Sequence, residues 1–436
     1  MSTVRINSDW IDSEENFRPE FDQSFGRLGI EVDGTWLTEY DTENGAHAAR
    51  IEVPAFPLAE WIAENWWSLL YEPEKGERSK SDPGFRARHW IGTAREGFAL
   101  PDSWIYAAGR GAVRLKADAS FFPHARLALR NICDASVRVD DAARELGGFV
   151  DSVIHRLDEK GIIDTGLHAV WSAFKRLDAD EQRFCRLVGT LGISPYDAPP
   201  DLADILTGIL GDASDAVTED FCEAADEGDI LEAASDMVQT LRALDSEPEV
   251  DFSALFRLYS RGAKTTKKAA VNAAQAVREL FHIDPYDPQG GEAFFSNLSL
   301  QPIIYDRGGI RELDEPVLHG SLRRHTNQMQ INLIRKQIAS RRYDAARACY
   351  LAWAQATDGD RLVTRARVPD QQASRIFAAE LLAPIEYIRS RTKNNLLSPY
   401  GAATIAEELK VSSAVVSWQA SHNRIQVVSQ HGGQWS

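Results

Sequence analysis

Cysteine is scarce in these 436 residues. The four present, Cys133, Cys185, Cys222 and Cys349, stand far apart and form no paired metal-ligand spacing. Without a secretory signal they read as reduced, mostly buried thiols. Long apolar runs are missing as well. No stretch of about 18 apolar residues occurs, so no membrane span is expected. The opening residues MSTVRINSDWIDSEEN carry neither an apolar signal core nor a lipidation pattern, which points to the cytoplasm. A Gly-rich phosphate loop, a Ser-nucleophile motif and paired carboxylates at a defined spacing are all absent. The common sequence routes to phosphoryl and acyl transfer are therefore closed.

Positive charge is scarce in one part only. The chain has net charge −17, yet from Gln301 onward 18 Lys/Arg face 12 Asp/Glu. The back is thus +6 and the front −23. Such a front repels phosphates, so nucleic acid is not expected as a partner of residues 1–300, whereas 401–436 leave that option open. The simplest reading of the acidity is solubility.

A chain of 436 residues implies two or three domains. The expected fold class is α+β and predominantly helical, with an α+β domain over 1–130, a helical acidic domain over 131–300 and a third domain over 301–436. Residues 1–25 read as a loosely packed lead-in. Leu28, Ile30 and Val32 alternate, and Asp33-Gly34 marks a hairpin before Thr35-Trp36. Ala49–Val53 reads as a third strand. Pro57 opens a helix in which Leu58, Trp61, Ile62, Trp66 and Leu69 share one face. Trp67 must then point elsewhere and is the aromatic available to a partner. Further strand signals lie at 104–107 and 112–115.

From Val137 the periodicity is helical, with Ala142, Leu146, Phe149, Val153 and Leu157 on one stripe. Ile193-Ser-Pro-Tyr-Asp197 and Ile283-Asp-Pro-Tyr-Asp287 stand ninety residues apart, each after an amphipathic helix. They are either two related helical units or a shared helix-stop phrase. Between Asp201 and Asp251 sixteen acids meet one base, Arg242, while Ile205, Ile209, Leu210 and Phe221 hold apolar positions, so the acids read as a solvated face. Leu300, Ile303 and Ile304, a Gly308-Gly309 turn, Val317-Leu318 and Met329–Ile334 read as strands.

The most informative stretch is Arg342–Pro384. Tyr343, Ala346, Tyr350 and Trp353 fall at helical spacing, and Phe377-Ala-Ala-Glu-Leu-Leu-Ala-Pro384 is a second, compact apolar helix. Preceded by the strand QMQINLI and followed by Thr404–Ser412, Val415 and Asn423, this order resembles the ImmA/IrrE family of zinc peptidases over about 301–428. The resemblance implies a zincin-like domain. In that family the first helix reads Arg-Phe-x-x-Ala-His-Glu-x-x-His. Two His four residues apart bind one zinc ion, and the Glu deprotonates its water. Here the first His position is Arg347, the Glu position is Ala348 and the second His position is Leu351. Arg repels a cation, Ala has no base and Leu has no lone pair. Zinc and any other cofactor are therefore expected to be absent.

Asp370 is the remnant acid of the third-ligand region, and Arg347 is expected to pair with Asp370 or Glu380. His319, His325, Cys349 and His422 offer no relocated ligand geometry. The resemblance implies a non-catalytic regulatory, phage-defence or toxin–antitoxin role through a protein partner. The expected binding groove lies beside Tyr350, Phe377, Arg347 and Asp370. Two alternatives stand beside it. One is a metallo-endopeptidase with an unconventional or partner-completed site. The other is a DNA-binding regulator using Ile405, Ala406, Leu409, Val411 and Val415 as a helix-turn-helix core.

Overall fold

The computed structural model describes every residue except 1, 13–17, 42–46, 76–78, 110, 197, 199–201, 203–205, 207, 209–212, 259–263, 307–315, 393 and 429–436. Of the sequence expectations, Asp197, Ile205, Ile209, Leu210 and the Gly308-Gly309 turn lie outside the described residues. The fold is α+β, about half of it helical. No described helix is long and apolar enough to cross a membrane. The chain forms two compact units, Met1–Asp204 and Ile205–Ser436. Helices of the expected acidic middle segment contribute to both.

In the first unit, β1 (Val4–Trp10) pairs antiparallel with β2 (Phe25–Val32) along its whole length, from Val4↔Val32 to Trp10↔Gly26. The expected loose lead-in therefore contains a strand, whose buried Val4 and Ile6 alternate with exposed Arg5 and Asn7, and a helical turn over Pro19–Gln23 that buries Phe21. The alternation is real but only four residues long. Asp33 (φ 50°) and Gly34 (φ 82°) make the turn into β3 (Thr35–Trp36). Two positive φ values give the type I′ geometry that suits a twisted hairpin. β4 (Ile51–Pro54) flanks β2 on its other side. A second sheet orders β7 (Cys133–Arg138), β6 (Ala112–Asp118) and β5 (Asp102–Ala107).

The expected Trp-rich helix is broken. α1 (Phe56–Glu64) ends at Asn65 (φ −104°, ψ 15°), and α2 (Trp66–Tyr71) starts afresh. The break reorients Trp67, which is buried with Trp61 and Trp66 rather than turned to a partner. It packs on Phe174 and Tyr71. Around this core stand α3 (Val139–Glu159), α4 (Gly166–Arg176) and α5 (Ala179–Thr190). A Cβ at Gly189 would meet Trp67 Cβ at 2.7 Å, so glycine is what lets α5 approach α2.

The second unit begins with α6 (Asp215–Cys222) and α7 (Ile230–Leu244). Its sheet has the order β8 (Val250–Asp251), β10 (Gln328–Leu333), β9 (Leu318–His325), β11 (Gly359–Thr364), all antiparallel. β11 is one edge strand and the two-residue β8 the other. α7 packs on β9 and β10, and α6 runs along β11. α8 (Lys267–Leu280), α9 (Gly290–Asn297), α10 (Ile338–Ala354), α11 (Pro369–Leu382), α12 (Ile385–Arg391), α13 (Pro399–Leu409) and α14 (Ser413–His422) complete it. α10 lies between the sheet and α11. Twelve of its 17 residues are buried, so it is enclosed on nearly every side. Leu300, Ile303 and Ile304, expected as a strand, lie buried at and within a π-helical turn over Pro302–Asp306. A short apolar run has no period that separates the two forms.

The ninety-residue echo is a common helix stop. After α5, Gly192 (φ 81°) reverses the chain and Ile193 N–H donates to Val188 O at 3.2 Å. After α8, His282 (φ 53°) does the same and Ile283 N–H donates to Arg278 O at 2.8 Å. Both are Schellman stops, with an isoleucine buried behind them. Only the first uses glycine at the left-handed position. We expect His282→Gly to raise stability by about 0.5–1 kcal/mol in urea unfolding, because an L side chain at that φ is strained. A loss of stability would contradict the assignment.

Candidate functional site

The three motif positions lie on α10 and all are interior. Ala348 and Leu351 are fully buried in the apolar core, and Arg347 is buried to 0% exposure. A guanidinium with five N–H donors cannot be left unsatisfied there. Each donor finds an acceptor. Nε reaches Ser374 Oγ at 3.2 Å. Nη1 reaches His319 Nδ1 at 2.7 Å and Asp344 Oδ1 at 3.5 Å. Nη2 reaches Thr364 O at 2.6 Å and Gln371 Oε1 at 2.9 Å. The expected partners are not among them. Asp370 binds Arg361, and Glu380 binds Arg278 at 3.0 Å and Gln419. The reason is reach: Arg347 faces the sheet, and the acid it meets is Asp344, one turn earlier on its own helix.

Asp344 is fully buried and also accepts from Arg335 Nε at 2.6 Å. Burial alone would raise its carboxyl, but the charges of His319, Arg335 and Arg347 outweigh burial and bring it down to about 2. His319 is pushed down to about 4 by burial, helped by Arg347 and Arg335 against the pull of Asp344. At neutral pH the imidazole is thus uncharged. Because Arg347 always donates, Nδ1 carries the lone pair and the proton sits on Nε2. The 3.3 Å approach of Nδ1 to Asp344 Oδ1 is then a contact of two acceptors around one donor. Arg375, lowered to about 9 by burial and by Arg347, adds a second donor to Thr364 O at 3.0 Å.

These side chains close the outer edge of β11. Leu362 N–H donates to Asp220 Oδ2 at 3.0 Å, and Leu362 O accepts from Gln371 Nε2 at 2.8 Å. Thr364 N–H donates to Gln371 Oε1 at 3.2 Å, and Thr364 O accepts from Arg347 and Arg375. The Gln371 amide stands where the peptide group of a further strand would be. Asp220 also takes both forks of Arg361, at 2.7 and 2.9 Å. An unpaired strand edge is a template for an incoming peptide; here that template is filled by side chains of the same chain. Asp220 is fully buried, so this member of the acidic stretch is structural and not part of a solvated face.

The expected groove is closed too. Tyr350 and Phe377 are buried with ring centroids 5.1 Å apart, and the Tyr350 hydroxyl donates to Lys264 O. With Arg347 also interior, of the four groove residues only Asp370 keeps partial exposure. The other candidate ligands do not converge. His319 and His325 end opposite halves of β9, Cys349 is in the core with its thiol pushed up by burial, and His422 is exposed and stacked on Trp418. Among the described residues no three His, Cys, Asp or Glu side chains are placed to hold a metal ion. Sequence reasoning missed Asp344, His319, Gln371 and Ser374 as partners of Arg347. The available signal was Asp344, an acid three residues before an arginine on one helix.

The protonation state of His319 has a consequence for stability. Its ordinary value is 6.5 and its folded value about 4, so between them the unfolded chain binds the extra proton. Stability is complete above that window and falls as pH drops through it, by about 3 kcal/mol. Urea unfolding across the window should show this loss, and His319→Gln, whose carbonyl still accepts from Arg347, should flatten it. An equal loss in both proteins would refute the assignment. Compared with known proteins, the chain matches no family model, no curated protein and no solved structure.

Proposed function

We propose that this chain is a non-catalytic regulator of ImmA/IrrE type, cytoplasmic, acting by binding a protein partner in a regulatory, phage-defence or toxin–antitoxin setting. Its C-terminal third is read as a zincin-like domain without its zinc chemistry. One observation carries the reading. At the positions where the motif needs two metal ligands and a base stand Arg347, bonded through all five donors, and the buried apolar residues Ala348 and Leu351. A cation placed there would meet a guanidinium, with no lone pair from any of the three residues. The side-chain seal on β11 supports the same reading, since a substrate strand finds no open edge at β11 to join.

A second reading, DNA binding, is favoured by one feature. α13 and α14 are joined by a three-residue turn with Lys410 left-handed (φ 54°) and the Ser412 hydroxyl capping α14. A short turn between two capped helices is what a helix-turn-helix requires. The charge does not favour it: Lys410 is tied to Glu292 at 3.2 Å, which leaves Arg424 as the base just beyond α14. Protein binding is therefore preferred. With Tyr350 and Phe377 enclosed, the partner surface lies elsewhere on the chain.

Purified full-length protein incubated with zinc, then assayed for bound metal and for hydrolysis of a casein substrate, separates the readings. Sub-stoichiometric zinc and no chelator-sensitive hydrolysis are expected. One zinc per chain with hydrolysis abolished by chelation would overturn the proposal.

A further inference from the structure

The contact between Arg347 and His319 exists in one protonation state only. Nη1–H of Arg347 donates to His319 Nδ1 at 2.7 Å, so that nitrogen must offer its lone pair. A proton on Nδ1 would turn the contact into two donors aimed at each other. The acceptor within reach of the new N–H is Asp344 Oδ1 at 3.3 Å, which takes Arg347 Nη1 at 3.5 Å. Protonation therefore hands this oxygen to His319 and pushes the guanidinium away.

A guanidinium is planar and rigid, so a shift at Nη1 is carried to Nη2. Nη2 holds Thr364 O at 2.6 Å and Gln371 Oε1 at 2.9 Å. Gln371 Oε1 also accepts the Thr364 N–H, at 3.2 Å. Arg375 stays on Thr364 O, so the release falls on Gln371 and the N–H it accepts. One end of the β11 seal thus hangs on the state of one ring in β9. The other end does not: Leu362 N–H is held by Asp220, which Arg361 clamps.

The charges work in the same direction. The groups facing the ring are Asp344 and Arg347 from α10 and Arg335 from the link before it. Arg375 of α11 and Tyr343, whose hydroxyl burial keeps protonated, bear on Arg347 and Asp344. A charged imidazole would be one more cation beside a single carboxylate. Burial, with Arg347 and Arg335, holds the ring down to about 4, while Asp344 at about 2 is still ionised there. The His319 side chain is 12% exposed, which gives a proton its way in.

We propose that His319 and Arg347 form an acid-sensitive latch on β11: a proton on His319 Nδ1 draws Asp344 from Arg347, loosens the guanidinium from Gln371 and Thr364, and opens that end of the strand edge while Leu362 stays sealed. The latch is closed at neutral pH and opens as pH falls from 6.5 toward 4. It stands independently of the partner-binding reading.

Amide hydrogen exchange of the full-length protein at pH 7, 5.5 and 4, expressed as protection against the intrinsic rate, reads the latch. Thr364 should lose at least about tenfold protection by pH 4 relative to both Leu362 and the central strand β10. A general loss of stability lowers all three alike, so the ratio isolates local opening. Nuclear magnetic resonance of the His319 ring gives its protonation at each pH, and the loss at Thr364 should follow it. In His319→Gln the ratio should stay constant. Arg335→Gln removes a cation from beside the ring and should move the loss to higher pH. A wild-type ratio unchanged from pH 7 to 4 overturns the latch, as does the same fall in His319→Gln. Should His319→Gln not fold, Arg335→Gln decides: a loss that stays at the wild-type pH overturns the proposal.

Discussion

The second unit depends on one buried cation. Arg347 joins three elements at once: β9 through His319, β11 through Thr364 and α11 through Gln371 and Ser374. Burying a guanidinium carries a desolvation cost of several kcal/mol unless every donor is matched and a counter-charge is near. Asp344 supplies the charge and five acceptors supply the match. Removing any one partner would leave a buried polar group stranded, which is why the neighbours of Arg347 are polar while the stretch Ala348–Trp353 that follows it is apolar and aromatic core. The lock therefore constrains its surroundings more than an apolar residue at that position would.

The same geometry closes the edge of β11. A catalytic zinc site keeps an open coordination position. Here the guanidinium sits at the motif position, and the donors and acceptors of β11 are consumed by Gln371, Arg375, Asp220 and Arg347 itself. The start of α10, one helical turn before Arg342, is exposed at Ile338 and borders a groove with the half-exposed Lys410.

Much of this was legible in the sequence. The alternation at Leu28, Ile30 and Val32, the Asp33-Gly34 turn and the stripe from Ala142 to Leu157 are local signals, and local structure follows them. What could not be read depends on contacts far apart in the chain. Asp220 meets Arg361 across 141 positions, and Arg278 meets Glu380 across 102. Nothing in the local sequence marks Asp220 as the acid that meets Arg361. Trp67 was misjudged for a different reason: a continuous helix was assumed, and the break at Asn65 turned the ring inward. The groove that the resemblance implies beside Tyr350 and Phe377 is a matter of tertiary packing, and a sequence does not say whether two aromatic faces are open or pressed together.

The claim that Arg347 holds the edge of β11 closed is tested most directly by amide hydrogen exchange at Leu362 and Thr364, in wild type and in Arg347→Met. The edge amides should exchange only through global unfolding in wild type. In the variant, Thr364 should lose at least about tenfold protection relative to the central strand β10, because its carbonyl and Gln371 lose their shared donor. Fast exchange at Leu362 and Thr364 in the wild type, or identical protection in both proteins, would contradict the account.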